Sequence, residues 1–112
     1  MSTPATTRYD RYGRPAGFYG NIQGKPEPYQ IKTVSSTLQY ICYYETGSNP
    51  RAIRRISTNP GETVQQIAVG WGVWGDESNV DFYPVNSVFV VNNETMALDH
   101  VEPYNTPVAT PT

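Results

Sequence analysis

The residues able to do chemistry are few. The only histidine is His100, with Asp99 beside it. A nucleophilic relay needs such a base next to an activated Ser or Cys. No nucleophile motif accompanies His100, so it reads as structural or exposed and no catalytic residue is assigned. The only cysteine is Cys42, which rules out an internal disulfide and reads as a small buried hydrophobe among aromatics. One His and one Cys far apart do not make a transition-metal site. Asp76, Glu77 and Asp81 supply oxygen ligands of the kind calcium takes, but without the spacing of a calcium loop. They read as an acidic loop, and no metal is expected. Neither GxxxxGK[ST] nor GxGxxG occurs, and no cofactor is implied.

What remains is recognition chemistry. Arg8, Arg11 and Arg14 recur every three residues around Tyr9 and Tyr12, and Phe18 and Tyr19 follow. Arginine forks pair with carboxylates, and aromatic rings anchor on apolar surface. These seven residues are expected to bind a partner. A second set is Trp71, Trp74 and Tyr83, whose rings could stack on sugar, with Asp76 or Asn79 taking hydroxyls. The competing expectation is that one Trp plugs the core and the other packs under the loop. A third set, Arg51, Arg54 and Arg55 near Tyr40, Tyr43 and Tyr44, has the ingredients of a single-strand platform. An acidic chain whose second half holds no cation argues against nucleic acid.

The charge is unevenly placed. Up to Arg55 there are eight cations and three carboxylates, about +5; beyond it there are seven carboxylates and no cation, −7. Either copies meet head to tail, basic part on acidic part, or the two halves neutralise each other within one fold. Charged residues make up 16% of the 112, against about 25% in average proteins. A Tyr-rich, sparsely charged surface suits contact. No N-terminal apolar run reads as a secretory leader, and no segment approaches the ~20 apolar residues of a membrane span. The expectation is assembly in a reducing cytoplasm.

Residues 37–57 organise the chain. Leu38, Tyr40, Cys42 and Tyr44 alternate with Gln39, Ile41 and Tyr43, Gly47 to Pro50 turn the chain, and a second run carries Ile53 and Ile56. Those isoleucines are three apart. Either a bulge lies at Arg54-Arg55, or Ile56 turns to the other face. Residues 29–34 read as a first strand with Tyr29, Ile31 and Thr33 on one face. Residues 63–71 are another, with Ile67, Val69 and Trp71 opposite Gln66 and Ala68. Glycines at 70, 72 and 75 are expected to end regular pairing, with a loop over 70–79. Residues 80–83 resume as a strand, which Pro84 bars from a central place. The apolar run 87–92 suits a strand buried on both faces, and 95–101 is a last short strand or one helical turn.

These elements predict an all-β fold, a small antiparallel barrel or sandwich of six to seven short strands. The expected domains are an extended Pro/Gly/Tyr-rich arm over 1–28, a β-domain over 29–101 and an extended tail over 102–112. Fully extended, the arm reaches on the order of 90 Å; the competing expectation is an arm folded back over its own domain.

Within the hairpin, Tyr40-Ile41, Gly47-Ser48, Ile53 and Arg55-Ile56, followed later by Trp74 and Asp76-Glu77, resemble a pattern of small all-β structural proteins of tailed bacteriophages. Cys42 stands where that pattern has glycine, and Arg51 where it has tryptophan. The resemblance covers about a third of the chain. It implies a non-enzymatic virion protein, assembled in the host cytoplasm, with the major capsid protein or other virion subunits as partners and a homo-oligomeric habit. Capsid cement or decoration is the first expectation. A neck or tail component, or a glycan-binding host-recognition module using Trp71, Trp74 and Tyr83, is the alternative.

Overall fold

The structure is a computed structural model that describes residues 5–15, 27–44, 49–59, 61–103 and 106–108. It is an all-β sandwich of two antiparallel sheets. The strands are β1 (Thr6–Tyr9), β2 (Gln30–Ser35), β3 (Leu38–Cys42), β4 (Arg51–Ser57), β5 (Gln66–Gly72), β6 (Phe82–Pro84), β7 (Val88–Asn92) and β8 (Leu98–Glu102). One sheet has the order β2-β3-β4-β5-β6 and the other β1-β7-β8.

The central hairpin forms as the alternation demands. Strand β3 pairs with β4 from Leu38↔Ser57 to Cys42↔Ile53 without a register shift. No bulge interrupts Arg54-Arg55; Ile53 and Ile56 lie on opposite faces. The alternation sorts each strand between two clusters. Ala52, Val69, Trp71 and Tyr83 from the larger sheet meet Phe89, Val91 and Val101 from the smaller one, making the core between the sheets. On the far face Tyr40, Ile53, Ala68 and Phe82 form a second cluster, covered by Leu38, Trp74 and Val80. The chain after β5 folds back over this face, with a single 3-10 turn at Glu77–Asn79.

Three expectations change. First, pairing does not fail at the glycines. Strand β5 stays in register with β4 through Ile53↔Gly70 and Arg51↔Gly72. The glycines are needed because residues 80–82 cross close by. A Cβ at Gly70 would sit 2.7 Å from the Asp81 carbonyl oxygen and from Val80 Cγ1. Second, the described residues form eight strands and the fold begins well before residue 29. Thr6–Tyr9 pairs with β7 from Thr6↔Asn92 to Tyr9↔Phe89, because an apolar β7 exposes two edges and only β8 covers the other. Third, the C-terminal segment is not wholly a tail. Glu102 ends β8, and the Val108 amide donates to the Phe82 carbonyl at 2.6 Å. Pro84 sits on β6, at an edge, as its missing N–H requires. The run of β7 is the middle strand of its sheet, with Phe89, Val90 and Val91 all buried.

Candidate functional site

The residues after β1 make a tight reversal. Asp10 Oδ1 accepts the amides of Tyr12 and Arg14, each at 2.9 Å, and Asp10 Oδ2 accepts Arg14 Nε at 2.8 Å. Gly13 takes φ 86°, a left-handed conformation that an L side chain resists. Tyr12 is thereby driven inward and is only 4% exposed. Its ring meets Tyr43 edge-on at 5.1 Å. Three guanidinium groups surround it: Arg54 at 4.7 Å, Arg14 at 5.1 Å and Arg11 at 5.3 Å. Burial pushes the Tyr12 phenol up, but hydrogen bonds and charge from Arg11 and Arg54 bring it below the usual range. Arg51 stacks over Tyr44 at 4.4 Å and donates to the Gly13 carbonyl at 3.2 Å. The cluster ties the first strand's turn to β4 and the residues after β3, and it uses two of the three platform cations, Arg51 and Arg54, while Arg55 is buried over Phe82 on the opposite face.

The residues expected to reach a partner therefore divide. Tyr12 is enclosed by its own chain. Tyr9 packs on Trp71, ring centres 5.0 Å apart. Arg14 is held by Asp10, and Arg8 pairs with Glu102 at 2.9 Å. Arg11 stays exposed. Phe18 and Tyr19 lie outside the described residues. The expectation of an extended arm is corrected for residues 8–14: Tyr12 is buried, Tyr9 is half-buried against Trp71, and Arg8 and Arg14 pair with carboxylates of their own chain, Arg8 remaining exposed.

Trp71, Trp74 and Tyr83 do not form one platform. Trp71 and Tyr83 are buried in the core between the sheets, where Trp71 stacks on Phe89 at 5.7 Å and donates Nε1–H to the Met96 carbonyl at 2.9 Å. Trp74 lies across the sheet against the second cluster. One Trp thus fills the core, and the other is half-buried on the opposite face of the sheet. Asp76 accepts from Asn79 at 2.7 Å, and buried Glu77 accepts from the Gly75 amide at 3.0 Å and pairs with Lys32 at 3.3 Å. Among the described residues no group of three His, Cys, Asp or Glu side chains could hold a metal.

His100 belongs to a charged lid on the outer face of the small sheet. Arg8, Val90 and His100 are neighbours across β1, β7 and β8. The Arg8–Glu102 pair spans β7, His100 Nδ1 meets Asp99 Oδ2 at 2.6 Å, and Val90 beneath is buried. The hydrogen bond to Asp99 raises the His100 pKa, and the one from Arg8 lowers that of Glu102.

The surface left open is on the larger sheet. Strand β2 is its edge, and all six of its residues are exposed. Ile31 is 58% exposed and Tyr29, just before the strand, 52%. The ladder places Ile31 beside Ile41, Arg54, Val69 and Tyr83 on the face that elsewhere builds the core. Next to it runs the row Thr33, Gln39, Ile56 and Ile67, with Ile67 45% exposed. Three strands cannot cover five, so this end of the inner face stays bare. The alternation of Tyr29, Ile31 and Thr33 was the sequence signal for that surface. Its exposure follows only from the strand order.

Protein-family models, curated proteins and solved structures were all compared with the chain, and none matches it.

Proposed function

We propose that the protein is a non-enzymatic structural protein of a bacteriophage virion, a capsid cement or decoration protein that binds and bridges capsid subunits. The observation that carries the reading is the bare end of the five-stranded sheet. Tyr29, Ile31 and Ile67 stand exposed on the face that elsewhere builds the core, and exposed apolar groups of that kind suit a contact site. The resemblance of residues 40–56 to phage structural proteins supplies the setting. Docking therefore runs through the sheet, in place of the first turn's tyrosines.

The test is the composition of particles banded by density from cells that carry the gene. Cement function requires the protein in a fixed ratio to the capsid subunit, with antibody label over the head. Label at the neck or tail moves it to the alternative virion location, and absence from banded particles overturns the proposal. Ile67→Lys is the matched variant. Its side chain is exposed, so folding is spared, and binding to shells stripped of the protein is expected to weaken on the order of tenfold.

A further inference from the structure

We propose that β2 pairs with β2 of a second copy, antiparallel and centred on Ile31, joining two five-stranded sheets into one across a two-fold axis. This deepens the reading of the bare sheet as a contact face and names its first occupant. Among the described residues nothing pairs with the outer side of β2. Its backbone N–H and C=O groups thus offer the template that sheet edges usually guard. The other edges are guarded. Strand β6 is three residues long, ends in Pro84 and receives the Val108 amide. Strand β8 carries Asp99, His100 and Glu102, and β1 ends in a reversal bridged from Tyr9 to Pro15.

The strand itself selects the register. A two-fold axis perpendicular to the sheet keeps each face on its own side and sets a residue opposite its own copy. Centring on Lys32 would oppose two lysines, which is unfavourable. Centring on Thr33 would run into the irregularity between Thr33 and Ser35. Centring on Ile31 uses the regular ladder from Gln30 to Thr33. It sets Ile31 on Ile31, Tyr29 on Thr33 and Gln30 on Lys32. The first two are apolar or aromatic to β-branched pairs, which favour strand pairing. Lys32, the one charge of the strand, is already held by Glu77 of its own chain. The register also abuts the two bare inner faces, so Ile31 of each copy shares one apolar surface.

A strand-length contact falls short of the roughly 1,200 Å² of a standard interface. Association is therefore expected at micromolar concentration in solution and is strengthened where a lattice holds copies close. Sedimentation equilibrium of the full chain tests it, using Ile31→Lys, Ile31→Glu and their equimolar mixture. The wild type is expected to dimerise, and each variant to weaken the dimer on the order of tenfold or more. The mixture is expected to restore it, because Lys and Glu then face each other. Thermal melts check that both variants stay folded, as exposure of Ile31 predicts. As an independent readout, Ile31→Cys with copper–phenanthroline as oxidant is expected to cross-link two chains through residue 31, the directly opposed position; Cys42 is buried. A monomeric wild type, a dimer indifferent to Ile31→Lys, or a mixture that stays monomeric overturns the proposal. A dimer that never enters a particle leaves it standing and overturns the virion reading instead.

Discussion

Tyr12 shows how a residue's type is legible while its role is not. An aromatic in a Gly/Pro-rich segment announces a contact, but its partner turned out to be Tyr43 and three arginines of the same chain. Tyr12→Ala is expected to cost about 3 kcal/mol in denaturant unfolding. An arm that merely waited for a partner would lose nothing when free. The charged lid makes a second residue-scale prediction. The His100 pKa is raised above its ordinary 6.5, so its contribution is complete below that pH and is lost as pH rises through the folded value. Glu102 is lowered from its ordinary 4.5, so its contribution is present above that pH and fades as pH falls through the folded value. Both act together between those two ordinary values. NMR titration is expected to return His100 toward 6.5 in Asp99→Asn and Glu102 toward 4.5 in Arg8→Ala.

Elements decide their own limits through their neighbours. The interleaved glycines at 70 and 72 look like the end of a strand, yet β5 continues through them because the chain at 80–82 crosses there. Gly70→Ala puts a methyl into a backbone carbonyl, which cannot move aside as a side chain would. It is expected to destabilise by about 2 kcal/mol, read as a shift of denaturant midpoint. Strand β1 is the larger case. Deleting residues 1–9 removes the ladder partner of β7 and the Tyr9 ring from Trp71. The expected loss is about 3 kcal/mol or more from uncovered apolar surface, with a raised ability to aggregate along the freed β7 edge. An unchanged melting temperature would show that β1 does not stabilise the sandwich.

At the scale of the molecule, the uneven charge is settled partly inside the fold. Arg8 meets Glu102 and Lys32 meets Glu77, each pairing the basic half with the acidic half. In the proposed edge pairing, contact between copies runs through apolar strand and sheet surface. Self-association is therefore expected to change little between low and high salt, whereas docking of opposite charges would weaken steeply as salt screens it. Sedimentation at two ionic strengths separates the two modes. Three strands packed on five leave Ile31 and Ile67 exposed, which is the surface the proposed docking would use.

The all-β class, the central hairpin, the buried run of β7 and the edge place of the Pro84 strand were written in local pattern. Alternation, turn residues and a missing N–H act within a few neighbours, so a sequence shows them. The join between Thr6–Tyr9 and Val88–Asn92 links residues eighty or more apart, and no local period reports such a partner. The same holds for the site. The apolar alternation of Tyr29 and Ile31 was visible, but only the strand order made it an open edge. Trp71 and Trp74 are three residues apart on one chain yet lie on opposite faces of the sheet. Burial depends on what the whole chain brings to each face, and that was decided when the two sheets packed.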